Sequence, residues 1–462
     1  MPGDAGGLAG ADVRVAPTRG MWWLFGVDCV LATTVRLLLA AATSGYATDV
    51  QIFQSWAETL RDHPLERFYA TAHLPDHLPG DLWLLKGAES AYGALGGHDL
   101  DGRGFTFVLQ VVPTLGDLLT ATMVLLIARG LAGPRVASTC ARWYLLNPAT
   151  IILTGVWGQW DSVSLGILFT GVWLLLRQDR AWVVSGVFLA WAVLIKPPLA
   201  VVVLCLLPLV WRHWAVHQER GTQKTRVRVE RSGELVMWVV SLFVTAYALL
   251  TPFSVHLVHA PPGGSTLADR LAKALDLYPF TTLGAANIWM LPIRSLDRVR
   301  DDVPGLLGLT DHQWGELLLV GVLVLVLAPG LVRLAGSDVV TRTTWTAAVA
   351  LLAGFLLPTR VHERYALPVL GFALLLLAAR SIDGRLDPRL VVWFWWLSAC
   401  LGLNQFLVLF GGLHLRGSLR YSFDGNWWLG LTLAYVAGSL ALFTWPWWRR
   451  ERQPTAGVSS ST

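Results

Sequence analysis

The sequence predicts an all-α polytopic membrane bundle of about twelve spans, and three observations carry that expectation. Of the 462 residues, 54% are hydrophobic and only 15% charged, whereas about a quarter of an ordinary soluble domain is charged. Apolar runs such as 317–332 and 366–379 are fenced by charged residues, the pattern of segments that lie in lipid. The 24 tryptophans suit the membrane–water interface, where indole rings concentrate. A formal net charge of +5 fits basic loops against anionic lipid, not a nucleic-acid surface.

In chain order, a cytoplasmic tail (1–21) leads into an N-terminal membrane module (22–252) that contains a first long external loop (43–104). A second long external loop (253–314) precedes the C-terminal membrane helices (315–448) and a disordered cytoplasmic tail (449–462). Spans are expected near 22–42, 105–128, 136–154, 162–177, 181–195, 198–212, 235–252, 315–333, 343–358, 365–380, 389–410 and 427–448. The polar start meets a full-length span with no cleavage site, so no signal peptide is expected.

Orientation follows from basic residues, which stay on the cytoplasmic side. With the N-terminus inside, 20 Lys and Arg fall on the inner side and 14 outside, nine of the latter in the two long loops. The expectation is N-in and C-in. It hinges on 181–212, which reads either as two short spans or as one long span broken at Pro197–Pro198. The second choice would turn the basic stretch Arg212–Arg231 outward. The charge balance and a core of about 30 Å favour two spans.

Each long loop carries an amphipathic segment. Val50, Phe53, Ala57 and Leu60 share one face of 49–62, and Leu267, Leu271 and Leu275 one face of 265–278, at helical spacing. Such helices lie in the headgroup plane, where they either cap the bundle or wall a groove between a lipid-borne and a water-borne substrate.

Asp117 and Arg142 lie deep in the second and third spans, where an unpaired charge is costly. A structural Asp117–Arg142 ion pair across the hairpin is the expectation. Asp28 and Arg36 are expected to face the bundle interior. Cys29, Cys140, Cys205 and Cys400 sit in apolar segments and read as small hydrophobes rather than disulfide or metal ligands. Only four of the 36 basic residues are Lys; with abundant Ala, Gly and Val this suggests a GC-rich bacterial genome.

The polar clusters at the outer span ends read differently. Asp49 follows the first span, Trp157-Gly158-Gln159-Trp160-Asp161-Ser162 joins the third and fourth, and Lys196 ends the fifth. Asn287-Ile288-Trp289 lies late in the second loop, and Arg360-Val361-His362-Glu363-Arg364-Tyr365 joins the ninth and tenth spans. Lys196, Arg360, His362 and Arg364 offer positive charge and donors suited to a phosphate, though a Lys at the membrane face also snorkels without any ligand. Asp49, Asp161 and Glu363 are acceptors able to activate a hydroxyl as general base. Trp157, Trp160 and Trp289 present flat faces to sugar rings, or form part of an ordinary interfacial belt.

At these motifs the sequence resembles the glycosyltransferase-C superfamily, polytopic enzymes that use polyprenyl-phosphate sugars. It is similar to the bacterial integral-membrane mannosyltransferase-like branch and, more distantly, to the dolichyl-phosphate-glucose glucosyltransferases. The resemblance runs from the first span through His362–Tyr365; the last two spans carry no matching motif. Asn147-Pro148 followed by Trp157-Gly158-Gln159-Trp160-Asp161-Ser162 resembles the family's Gly-Gln-x-Asp segment. Leu194-Ile195-Lys196-Pro197-Pro198 resembles its lysine-bearing turn, and His362-Glu363-Arg364-Tyr365 its late His-Glu motif. Many relatives carry two neighbouring acidic residues in the first loop, whereas Asp49 has none before Glu58.

The resemblance implies Asp49 as catalytic base, with Gln159, Asp161, Lys196, Asn287, Trp289, Arg360, His362, Glu363 and Arg364 holding the donor phosphate and sugar. It implies inverting transfer of a hexose, mannose first, from a polyprenyl-phosphate sugar to a glycan, lipid or protein acceptor outside a bacterial plasma membrane. No cofactor is expected. A nucleotide donor is unexpected because no phosphate-cradling Gly loop occurs, and a metal because the outer motifs lack a tight ligand cluster. Expected partners are the lipid donor, the acceptor and membrane lipids, with no nucleic acid. A transporter or flippase of lipid-linked sugars is the alternative, expected to show repeated halves and midplane polar residues. A non-catalytic scaffold is a further one.

Overall fold

The computed structural model describes residues 19–177, 179–215, 224–293, 298–332, 339–412 and 425–444. Most of the expected N-terminal tail, the whole C-terminal tail and part of the basic stretch after Arg212 lie outside these residues.

Among the described residues the architecture is helical, with one two-residue parallel ladder (Val255–His256 with Ser265–Thr266) in the second long loop. Leaving aside single turns other than Pro148–Ile151, the first half comprises α1 (Arg19–Thr43), α2 (Ala47–Asp62), α3 (Pro79–Ala94), α4 (Arg103–Ala132), α5 (Pro134–Leu145) and α6 (Pro148–Ile151). The chain runs on from α6 into a π-helical turn (Ile152–Trp157). There follow α7 (Asp161–Leu175), α8 (Ser185–Ile195), α9 (Ala200–Ala215), α10 (Lys224–Leu250) and α11 (Leu267–Asp276). The C-terminal part holds α12 (Asp311–Val332), α13 (Val339–Leu356), α14 (Leu367–Ala379), α15 (Pro388–Gly412) and α16 (Gly425–Thr444).

Among the described residues, seven helices are long and apolar enough to cross a membrane, and five shorter apolar helices lie between them. The chain is a multi-pass membrane protein. Residues 367–378 of α14 are buried all round, which is why this helix shows no polar face. It packs on α4, α5, α7, α13 and α15. Close approach to α7 needs Gly371, where a Cβ would lie 2.7 Å from Phe169.

At Pro197–Pro198 the chain turns back on itself. Trp238 of α10 donates to Ser185 Oγ at the start of α8 (2.9 Å). At the other end, Trp191 of α8 and Trp83 anchor both helices on α3: Trp191 donates to Gly80 O and Trp83 to Leu249 O, each at 3.0 Å. Helices α8 and α10 therefore run parallel, and α9 between them runs the opposite way.

The buried ions pair differently from the sequence expectation. Asp117 meets Arg36, not Arg142 (2.8 Å), and Arg142 meets Asp28 (3.0 Å). Arg36 and Asp117 are each 1% exposed, whereas the Arg142 side chain is 46% exposed. The hairpin of α4 and α5 is thus joined through α1. A charge buried this deeply is held by many donors, and Asp117 also accepts from Thr154 (2.7 Å) and Tyr144 (3.0 Å).

Both long loops are structured. Helix α2 buries Phe53, Trp56, Ala57 and Leu60 against the bundle, so this amphipathic face is a packed one. Helix α3 was unforeseen in the sequence. Helix α11 starts with a capping box between Thr266 and Asp269, which satisfies two of its free backbone donors.

Candidate active site

One end of the bundle gathers residues from α2, the turn before α7, the end of α8 and the 359–365 turn. Asp49 lies in the first turn of α2, where the helix N-terminus favours a carboxylate. The peptide before it is tied down by Tyr46 N–H donating to Trp157 O at 3.0 Å. Asp49 Oδ2 accepts from Trp157 Nε1 at 2.9 Å and from the Gln159 amide. Neither donor is charged, and among the described residues Asp49 forms no ion pair with Lys or Arg.

The segment that brings Trp157 and Gln159 there owes its shape to two backbone features. The π-helical turn re-aims the chain after α6, and Gly158 closes it with φ +86°. Only glycine takes that conformation readily. The N–H groups of Gly158 and Gln159 both bond to Leu153 O at 3.1 Å.

Next to this lies a buried chain of alternating charges. Lys196 Nζ stands 3.2 Å from Asp161 Oδ1, and Arg364 Nε 3.5 Å from Asp161 Oδ2. Arg364 Nη1 donates to Glu363 Oε1 at 2.8 Å, and its guanidinium lies 5.7 Å from the centre of the Trp157 ring. Lys196 Nζ sits 5.5 Å from the Tyr365 ring centre. His362 Nδ1 is 3.8 Å from Glu363 Oε2.

Charge within the chain is tuned by burial and neighbours. Burial alone would raise the Glu363 carboxyl, but Arg364 and His362 outweigh it and hold it below its ordinary value. Burial and the adjacent Arg364 hold His362 below its ordinary value, so it is neutral at neutral pH. Asp161 Oδ2, Glu363 Oε2 and Arg364 Nε have no hydrogen-bond partner. A polar ligand entering here would meet acceptors and a cation ready to bind.

The structure brings together Asp49, Gln159, Asp161, Lys196, His362, Glu363 and Arg364. It does not bring Arg360, Asn287 or Trp289 into the same cluster. Arg360 adopts φ +62° and grips Asp301 with two bonds of 2.8 and 3.1 Å. Its guanidinium fastens the second long loop to this turn. Asn287 donates to Pro358 O (3.2 Å) and Trp289 to Leu357 O (2.8 Å), so both anchor the same loop to the end of α13.

The chain is similar in fold to ArnT. ArnT from Cupriavidus metallidurans bound to undecaprenyl phosphate matches with a TM-score of 0.50 at 14% identity, covering 92% of this chain and 77% of that one. Its apo state gives 0.44 at 15% identity, with 92% and 76% covered. An Archaeoglobus fulgidus oligosaccharyltransferase tethered to an acceptor peptide gives 0.36 at 14% identity, with 91% and 55% covered. No family model and no curated protein matches the chain. The likeness to ArnT is one of fold.

Sequence reading missed several residues around the site. Asp301 gave no signal, being one of six aspartates in the second long loop and adjacent to Asp302. Asn404 of α15 accepts from Ala286 N at 3.0 Å and donates to Gly284 O at 2.8 Å, yet lies in a span without a motif. The His77–Asp81 pair, in the first long loop and at the start of α3, is hidden by its Pro-rich context. Among the described residues, no three His, Cys, Asp or Glu side chains group as metal ligands.

Proposed function

We propose that this chain is an integral-membrane glycosyltransferase that moves a hexose, mannose first, from a polyprenyl-phosphate sugar to an acceptor hydroxyl. The observation that carries the reading is Asp49: one carboxylate oxygen is held by Trp157 and Gln159, beside the buried chain Lys196–Asp161–Arg364–Glu363. The fold shared with ArnT, whose structure holds undecaprenyl phosphate, supports a polyprenyl-phosphate donor.

In the proposed reaction Asp49 Oδ1 takes the proton of the acceptor hydroxyl, a general-base step worth roughly 10²–10⁴-fold. The hydroxyl oxygen attacks the anomeric carbon from the face opposite the phosphate. The bond from that carbon to the phosphate oxygen breaks, and polyprenyl phosphate leaves with the electron pair. Lys196 and Arg364 receive the growing negative charge, where a fixed cation helps most. His362, neutral in the free site, donates a hydrogen bond to the same phosphate. The configuration inverts. The active end faces outside the bacterial plasma membrane, following the distribution of basic residues, and the acceptor is a glycan, lipid or protein there.

The test is to incubate the chain in proteoliposomes with undecaprenyl phosphate mannose, or its glucose counterpart, and an envelope extract. Transfer of label to an acceptor is expected from wild type and not from Asp49→Asn. Movement of the labelled lipid between leaflets without transfer would instead establish a flippase.

A further inference from the structure

Helix α15 belongs to the part of the chain without a motif, yet it enters the site from behind. Asn404, 0% exposed, holds the 284–286 turn through its two hydrogen bonds. That turn lies against the His-Glu motif: Leu283 N–H donates to Val361 O at 3.0 Å. A Cβ built on Gly284 would sit 3.1 Å from Glu363 Oε2 and 2.9 Å from Val408 of α15. Gly284 thus lies against both Glu363 and α15.

One residue on, Gln405 is 0% exposed, and neither atom of its amide has a hydrogen-bond partner. Its direction follows from the helix register. Ser398 donates to Asn147 Oδ1 at 2.8 Å, and Gly402 packs on Ala149. Residues 398, 402 and 405 share a helix face, so Gln405 lies on the face that α15 packs against α6 and the π-helical turn. A buried primary amide without partners is costly and calls for an explanation in a native site.

The geometry points to Gln405 as a binding residue for the sugar of the lipid-linked donor, acting with Glu363 Oε2; this rests on the glycosyltransferase reading above. A primary amide donates to one hydroxyl and accepts from its neighbour, the pattern that vicinal sugar hydroxyls present. A hydroxyl also donates to Glu363 Oε2, whereas a phosphate oxygen placed there would meet like charge. Gln405 therefore recognises the hexose and not the phosphate.

The test compares binding of undecaprenyl phosphate, undecaprenyl phosphate mannose and undecaprenyl phosphate glucose to the full chain in nanodiscs. Gln405→Leu is expected to weaken at least one sugar-bearing lipid about tenfold while leaving undecaprenyl phosphate within about twofold, the scale of one or two neutral hydrogen bonds lost to the sugar. Gln405→Met keeps the side-chain length and removes both hydrogen-bonding groups without adding charge, and is expected to give the same selective loss; it serves if the leucine variant does not fold. Equal weakening of all three lipids, or none in either variant, overturns the inference while wild-type binding leaves the glycosyltransferase reading standing. A wild type that binds none of the lipids overturns both.

Discussion

Arg36 and Asp117 meet at 2.8 Å with each residue 1% exposed, and the same guanidinium reaches Thr150, Thr154 and the Leu145 carbonyl. One side chain from α1 thus ties α4 to the end of α5 and to the π-helical turn that ends in Trp157. Asp117→Leu alone leaves Arg36 charged in the bundle, and a loss of about 3–5 kcal/mol is expected. Replacing both residues, Arg36→Met with Asp117→Leu, is expected to recover most of it. Thermal unfolding in detergent reads the comparison; a double variant as unstable as the single one would show that the surrounding hydrogen bonds matter more than the charge.

On the proposed mechanism, substitutions of Asp49 and Gln159 separate chemistry from positioning. Asp49→Asn keeps the shape and removes the proposed base, so transfer is expected to fall by about 10²–10⁴-fold with donor binding intact. Gln159→Ala leaves the carboxylate held by Trp157 alone, and a smaller loss, about tenfold in kcat, is expected. A Gln159→Ala loss as deep as that of Asp49→Asn would give the amide a direct part in the reaction.

The legible part of this site was the part whose residues were expensive where they stood. Asp49, Gln159, Asp161, Lys196 and the 362–365 motif each placed polar groups at the end of an apolar run, and these came together. Partner choice was not legible. Whether Asp117 faces Arg142 or Arg36 depends on the rotation of three helices at about 100° per residue. Arg360 looked like its neighbour Arg364, but a positive φ swings it to Asp301, 59 residues away in sequence. Gln405 sits in an unbroken apolar helix and shows its burial only after folding. Helix α3 was hidden because Gly80 and its mixed polar residues give no clear period; Gly80 is there so that α3 can touch Leu194, whose carbonyl carbon would lie 2.3 Å from an added Cβ.

That close contact makes Gly80→Ala a sensitive substitution. The obstacle is the backbone of α8, which cannot rotate away, so a cost at or above the usual overpacking range of about 1–3 kcal/mol is expected. Because Leu194 lies two residues before Lys196, affinity for undecaprenyl phosphate should fall as well. Unfolding and lipid binding measured on the same preparation check both; an unchanged melting temperature would mean that α3 and α8 separate freely.

The pH response follows from His362. Burial and Arg364 hold it below its ordinary value of 6.5, so below about that pH the unfolded chain takes up a proton that the folded chain declines. Stability therefore falls as pH drops, by at most about 1.4 kcal/mol per pH unit for one proton. Glu363, also held low, adds in the same direction further down: its contribution is full above its ordinary 4.5 and is lost as pH falls below that. Between about pH 7.5 and 5.5 the wild type should lose more stability than His362→Gln. A bound phosphate favours protonated His362, so undecaprenyl phosphate should bind more tightly over the same fall in pH. Matching profiles for wild type and His362→Gln would assign the response to another group.

Arg360 and Lys196 make opposite predictions although both are cations at the same end of the bundle. Arg360 is committed to Asp301, a carboxylate that is 0% exposed. Arg360→Gln should therefore destabilise the chain by about 3 kcal/mol, as loss of one partner from a buried pair does, and leave affinity for undecaprenyl phosphate within about twofold. Lys196 shares Asp161 with Arg364, so Asp161 keeps a cation when Lys196 is lost. Lys196→Gln should change stability little and weaken undecaprenyl phosphate about tenfold, the scale of one charge-assisted contact. Measured side by side, a larger affinity loss for Arg360→Gln than for Lys196→Gln would return Arg360 to the phosphate site and demand that its pair with Asp301 open when lipid binds.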